Sequence, residues 1–191
     1  MPPKSKIDKQ ALLTAGIRLI QRDGYESLNA RSLAKELNCS THPIFRLYSD
    51  MEQIKTDLFA KAEETINCFL EKRMEDYTQN PMFALGMSYI DFAREETNLF
   101  QFLFMSHHFN RGQANLIWES EENKPLLQGI AQAVGISFEE AQSLLKKLWL
   151  LTHGLASMIA ANGMLFTKQE ITEILSEAFS AFLIQIKQGG N

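Results

Sequence analysis

The chain has few helix breakers. Its 191 residues include five prolines and ten glycines, which leaves room for long uninterrupted helices. Cysteine is scarce too. Cys39 and Cys68 stand far apart and lack metal-ligand spacing, so neither a disulfide framework nor a thiolate metal centre is supported. No apolar run reaches the roughly 18 residues that a membrane span needs. The N-terminal MPPKSKIDKQ carries no apolar signal-peptide core. These absences lead to the expectation of a reduced, cytoplasmic setting with no membrane partner.

Chemistry is thinly represented as well. There is no glycine-rich phosphate loop, no Ser-His-Asp set and no pair of carboxylates in an apolar setting. Glu119, Glu121 and Glu122 beside Asn123 read as a solvated helix end, so no enzyme is expected. His107 and His108 are adjacent, and adjacent helical side chains point roughly 100° apart. With no Cys or His four residues from either, a metal is not expected. No cofactor is implied.

What is present is a core and an uneven charge. Hydrophobic residues make up 45% and charged residues 22%, an ordinary composition for a domain that buries a real interior. The net charge of −4 divides into +3 over residues 1–61 and −7 over residues 62–191. A basic head suits a polyanion, and an acidic body suits something else.

Periodicity predicts helices throughout and no sheet. Leu12, Ala15 and Leu19 mark a first helix from about Ser5, its cap, to Asp23, with Gly24 stopping it in a left-handed conformation. Asn29 caps a second, with Leu33, Ala34 and Leu37 inward. Asn38 ends it, tolerating positive φ better than most residues. A third starts near Thr41, with Pro43 in its first turn, and turns Ile44 and Leu47 or Tyr48 inward. Asp50 caps a fourth with Gln53 three residues on. Its stripe of Ile54, Leu58, Ala62 and Ile66 runs towards Tyr77, before Pro81. Further helices are expected near 82–97, 98–109, 112–121, 125–134, 138–162 and 168–188. The fold class is therefore all-α: an N-terminal three-helix helix-turn-helix domain, residues 1–50, and a larger C-terminal helical bundle, residues 51–191, with the fourth helix (51–77) as connection.

Two short helices around a tight corner describe a DNA-reading unit. The major groove admits one α-helix, whose first residues face base edges while the preceding helix braces on the backbone. Thr41, His42 and Arg46 are candidates for base edges, Arg46 by a bidentate pair with guanine. Asn29, Ser40 and Tyr48 are candidates for phosphates, and Arg31 for either.

Residues 7–59 resemble the DNA-binding domain of the TetR family of transcriptional repressors. Gly24-Tyr25 stands where that pattern has Gly-Tyr or Gly-Phe. Asn29-Ala30-Arg31-Ser32-Leu33-Ala34 stands for Thr-x-Arg-x-Ile-Ala, and Asn38-Cys39-Ser40 for Gly-Val-Ser. Ile44-Phe45-Arg46-Leu47-Tyr48 stands for Leu-Tyr-x-His-Phe. The later FAREETNLFQFLF and LWLLTHGLA also resemble ligand-domain segments of one TetR subgroup. The resemblance implies a DNA-facing set of Asn29, Arg31, Ser40, Thr41, His42, Pro43, Phe45, Arg46 and Tyr48. It also implies a double-stranded DNA operator, a homodimer and a small-molecule effector. Two departures stand out: Met51 replaces the family's phosphate-contacting lysine, and Arg46-Leu47 interrupts its aromatic-x-His pair.

The remaining chain is rich in aromatics. Phe92, Phe100, Phe104, Trp118 and Trp149 are candidate effector-pocket walls, with His107 and His153 (and His108) as polar handles. Because one recognition helix reads too few base pairs, a dimer is expected to place two of them about 34–36 Å apart. Its interface is expected on the last two long helices. Leu144, Leu148, Leu151 and Leu155 line one, and Ile171, Leu175, Phe179 and Phe182 line the other. The alternative is a helical small-molecule sensor whose head has lost DNA binding and acts through protein partners, suggested by Leu47, Met51 and the thin +3 surplus.

Overall fold

The computed structural model describes residues 7–78, 81–106 and 121–189, with only the backbone of Glu122 and Asn162. Nine α-helices occur among the described residues, and no strand: α1 Lys9–Asp23, α2 Ala30–Glu36, α3 His42–Leu47, α4 Met51–Met74, α5 Pro81–Glu95, α6 Thr97–Phe104, α7 Lys124–Val134, α8 Phe138–Asn162 and α9 Lys168–Gly189. Short 3-10 turns at Tyr25–Ser27 and Glu121–Asn123 precede α2 and α7. The predicted helix near 112–121 lies almost wholly outside the described residues.

The chain forms two compact units. One comprises Met1–Cys68 and Glu96–Phe109, the other Phe69–Glu95 and Asn110–Asn191. The expected boundary at residue 50 therefore falls inside the first unit, and α4 passes from one unit into the other at Cys68.

Within the first unit the helix ends follow from their caps. The start of α1 corrects the expectation: Asp8, not Ser5, is the cap, its carboxylate accepting from the Ala11 amide at 2.8 Å. Gly24 ends α1 at φ +78°, but its ψ of 162° is extended rather than helical, so it turns the chain away instead of closing a left-handed cap. Asn29 caps α2, accepting from the Arg31 and Ser32 amides, while Ser32 Oγ accepts in turn from the Asn29 amide. Asn38 takes φ +50°, as its residue type suggested. Pro43 occupies the first turn of α3. Asp50 accepts from the Gln53 amide at 2.9 Å, and the Gln53 side chain reaches the Ser49 amide rather than that of Asp50.

The core of this unit joins α1, α2, α3 and α4 through Leu12, Ile20, Leu33, Ile44, Ile54 and Leu58, each fully buried. At Gly16 a Cβ would lie 2.5 Å from Leu58 Cδ2, so any larger residue there would force the Leu58 side chain to shift. Helix α6 joins the unit through Phe102, whose ring meets Tyr25 at 6.3 Å and Phe59 at 5.9 Å. Asn98 Nδ2 adds a bond to the Gln21 carbonyl at 2.8 Å.

The second unit is built on α8. Its Ser137–Glu140 capping box and the left-handed Gly163 set the two ends. Leu144, Leu145 and Leu148 pack with Leu127 and Ile130 of α7, and Phe179, Phe182, Leu183 and Ile186 of α9 close over them. This bears on the residues expected to line a dimer surface. Leu144, Leu148, Leu155, Ile171 and Leu175 are buried within their own chain. Apolar periodicity marks a face to be covered, and here α5, α7 and the α8–α9 pairing cover it.

Candidate nucleic-acid interface

The corner between α2 and α3 is held by the backbone. The Cys39 amide donates to the Ala34 carbonyl at 2.9 Å, and the Asn38 amide to Lys35 at 3.1 Å. Buried Ile44 pins α3 from beneath. On the six-residue α3, His42, Phe45 and Arg46 are exposed, while Pro43 and Leu47 are half-buried. Thr41 is half-buried and Ser40 exposed ahead of it, and Arg31 is exposed on α2.

These residues differ in what they already hold. The side chains of Arg31, His42 and Arg46 make no ion pair or hydrogen bond among the described residues, so their donors face water. Arg22 is the contrast: it is spent on Asp23 at 2.8 Å and Glu36 at 3.1 Å, tying α1 to α2. Asn29 is exposed yet occupied, since its amide donates to the Ser27 carbonyl at 3.1 Å while its oxygen caps α2. Tyr48 is 4% exposed, and its hydroxyl donates to Asp57 Oδ2 at 2.8 Å. Lys9 lies over the Tyr48 ring at 4.7 Å and pairs with the same carboxylate oxygen at 3.0 Å. Burial, then the bond to Asp57, push the Tyr48 phenol well above its usual value. The bonds from Lys9 and Tyr48 hold the Asp57 carboxyl below the ordinary carboxylate range. Neither Lys9 nor Asp57 was legible as a partner of Tyr48, because no local pattern joins them.

The candidate effector residues divide between the units. Phe100 and Phe104 belong to the first, with ring centroids 4.9 Å apart and Phe100 fully buried. Phe92, Trp149 and His153 belong to the second. Phe92 is fully buried edge-on to Phe69 at 5.3 Å. Trp149 and His153 stack at 4.7 Å with planes 6° apart. His153 Nδ1 lies 2.9 Å from the Tyr89 hydroxyl and Nε2 3.4 Å from Ser157 Oγ. Burial lowers the His153 pKa and thereby favours the neutral ring. His107, His108 and Trp118 lie outside the described residues.

Two features of the second unit were not foreseen. A cavity of about 150 Å³ opens among Met82, Phe83 and Gly86 of α5, Leu148 and Thr152 of α8, and Leu175, Ser176, Phe179 and Ser180 of α9. Its wall residues come from three helices with long sequence gaps between them, which no single-helix pattern reveals. The buried Ser88 hydroxyl has no hydrogen-bond partner among the described residues. No described helix is long and apolar enough to cross a membrane. No group of three or more His, Cys, Asp or Glu among the described residues is placed to hold a metal.

An all-α chain with a helix-turn-helix in one unit and a separate helical core in the other has the build of a helix-turn-helix transcriptional regulator. The family described as tetracyclin repressor-like, C-terminal domain, matches residues 82–182, more than half of the chain. The chain belongs to the TetR family of transcriptional regulators. Its fold is similar to that of a solved structure of a candidate transcriptional regulator from Pseudomonas aeruginosa PAO1, with a TM-score of 0.67. The two share 15% sequence identity over 96% of this chain and 95% of the other. Comparison with curated proteins finds no match.

Proposed function

We propose that this chain is a homodimeric repressor that reads a DNA operator through α3 and leaves it when a small molecule binds the second unit. The observation that carries the reading is the set of uncommitted donors on the exposed faces of α2 and α3: Arg31, His42 and Arg46. Donors with no partner among the described residues are available for phosphates and base edges. Arg46 and His42 are one turn apart on α3 and read bases, while Arg31 and Ser40 meet the backbone. Tyr48, whose hydroxyl donates to Asp57, acts as a brace for the end of α3.

Dimerisation falls to the faces of α8 and α9 that their own chain leaves open. Leu150 is 55% exposed and Met158 38% on α8, and Ile184 is 54% exposed on α9. Gly154 stands between Leu150 and Met158, and a Cβ added there would meet no described atom within 4 Å. A partner helix can therefore approach this face closely. The effector is assigned to the second unit, with the Trp149–His153 stack and the Tyr89 hydroxyl as its aromatic and polar handles.

The test is binding of full-length protein to duplexes selected from a random pool, followed by fluorescence anisotropy across salt concentrations. A regulator of this kind gives one symmetric site and an affinity that falls steeply with salt. Arg46→Ala is expected to cost about 1–3 kcal/mol at one guanine and relax preference there. Arg31→Ala is expected to weaken all sequences alike and to shallow the salt slope by about one. A protein that binds no duplex at low salt is instead a sensor working through protein partners.

A further inference from the structure

Gly86 sits in the interior of α5, where glycine is a poor helix former. Packing does not require it there. A Cβ at Gly86 would meet Leu175 Cδ1 at 3.5 Å and Thr152 Oγ1 at 3.7 Å, both ordinary contacts. Gly16 is the reverse case, since a Cβ there would lie 2.5 Å from Leu58. At Gly86 the missing side chain is left as space. It opens into the cavity of about 150 Å³ walled by α5, α8 and α9. That wall lies wholly within the second unit. It includes none of the aromatic and histidine residues expected from the sequence to form an effector pocket.

Three properties of the wall define what fits. The first is volume. An apolar cavity of roughly this size takes up benzene, so the occupant is about one six-membered ring. Phe83 and Phe179 offer ring faces and edges to it, and Leu148 and Leu175 their branched ends. The second is charge. No lining residue ionises, and an unpaired charge is costly to bury, so the occupant is neutral. The third is hydrogen-bond polarity. Buried Thr152 gives its hydroxyl proton to the Leu148 carbonyl at 2.8 Å. Its oxygen keeps acceptor capacity and has no second proton to give. Ser176 and Ser180 stand on the exposed side, where water reaches them. An occupant therefore satisfies Thr152 by donating to it.

We infer that this cavity is a binding site for a neutral, single-ring aromatic molecule with a hydrogen-bond donor, of which phenol is the simplest. The donor meets Thr152 Oγ1 and the ring lies against Gly86. The assignment concerns occupancy of the cavity alone. Its test involves no DNA, so its failure and the failure of operator reading are separate results.

The experiment is calorimetric titration of the full-length protein with phenol, toluene, anisole and benzoate. Toluene has the shape of phenol without the donor, anisole keeps the oxygen as an acceptor, and benzoate adds charge. Phenol is expected to bind once per chain, about tenfold tighter than toluene or anisole, which leave the Thr152 oxygen unsatisfied. Benzoate is expected to give no saturable heat. Gly86→Ala sets a methyl beside the Thr152 hydroxyl, where the ring would lie. It is expected to weaken phenol by about tenfold and to raise the melting temperature, because alanine favours the helix. Thr152→Val keeps the side-chain shape and removes the acceptor, and is expected to bind toluene at least as well as phenol. Should Thr152→Val fold poorly, Gly86→Ala decides the matter by itself.

Absence of saturable phenol binding at millimolar concentration would overturn the site. Equal wild-type affinity for phenol and toluene, or a phenol preference that survives Thr152→Val, would overturn the role of the hydroxyl. Wild-type phenol affinity in Gly86→Ala would place the ring elsewhere in the molecule and overturn the assignment as a whole.

Discussion

The Tyr48 hydroxyl and the Asp57 carboxylate meet at 2.8 Å, with Lys9 on the same oxygen at 3.0 Å. The bond joins the residue that ends α3 to the second turn of α4, and Lys9 brings in the start of α1. Tyr48→Phe keeps the buried ring and removes only the bond. It is expected to cost about 1 kcal/mol, the usual net worth of a hydrogen bond whose acceptor stays partly solvated. Urea unfolding reads this as a lower midpoint at unchanged slope. The Asp57 carboxyl titrates below its ordinary range, so its contribution is present above the unfolded value near 3.9 and is lost as pH falls through the lower folded value. The stability gap between wild type and Asp57→Asn is therefore expected to narrow below about pH 4. A gap that persists there would show that Asp57 acts through packing and not charge.

His153 has a linkage of the same sign in a higher pH window. Its folded pKa is depressed by burial. Between that value and the unfolded value near 6.5, the unfolded chain binds more protons. Stability contributed by neutral His153 is thus complete above about pH 6.5 and falls as pH drops towards the folded value. The melting temperature of wild type is expected to decline as pH is lowered from about 7 to 5, and that of His153→Gln to decline less. Parallel curves for the two proteins would remove His153 as the source. The same substitution loses the Tyr89 contact and the Trp149 stack, so effector release of DNA should also require more ligand.

Gly16 sets a third expectation. Alanine normally favours a helix interior over glycine by roughly 0.5–1 kcal/mol. Here a Cβ would lie 2.5 Å and 2.9 Å from the two Leu58 methyl carbons, and Leu58 is fully buried. Forcing a methyl into such packing costs about 1–3 kcal/mol. Gly16→Ala is expected to destabilise on balance, by about 1 kcal/mol. Paired with Leu58→Val it should recover part of the loss, which distinguishes crowding from a backbone effect.

Much of this fold could be read along the chain, for reasons that are local. Ile54, Leu58, Ala62 and Ile66 are all buried as their spacing required, and Asn29, Asn38, Pro43 and Asp50 end or begin helices by side-chain chemistry within a few residues. Of the candidate site, what was legible is exposure: Arg31, His42 and Arg46 lie on solvent-facing positions of the two short helices. It was not legible where partners are remote. Tyr48 was read as a phosphate donor because nothing near it in sequence announces Asp57 or Lys9. Tyr89 finds His153 across 64 residues. The apolar stripes of α8 and α9 were visible, yet a stripe does not say whether its own chain or another covers it.

That last distinction leads to a sharp test of assembly. If Leu144, Leu148 and Leu155 held the dimer together, charge on them would dissociate it; being buried in their own chain, they should unfold it instead. Leu148→Asp is expected to lower the melting temperature steeply, because a buried unpaired carboxylate costs several kcal/mol, on the order of 3–5. Leu150 and Met158 are the residues whose apolar surface stays in contact with solvent on α8. The double variant Leu150→Asp, Met158→Asp is expected to keep helix content and yet sediment as a monomer. DNA affinity should fall with it by far more than any single base contact explains, since two heads bound independently lose the effective concentration that dimerisation provides. A wild-type protein that sediments as a monomer at micromolar concentration removes the dimer from the mechanism, and a double variant that remains dimeric moves the interface off this face of α8.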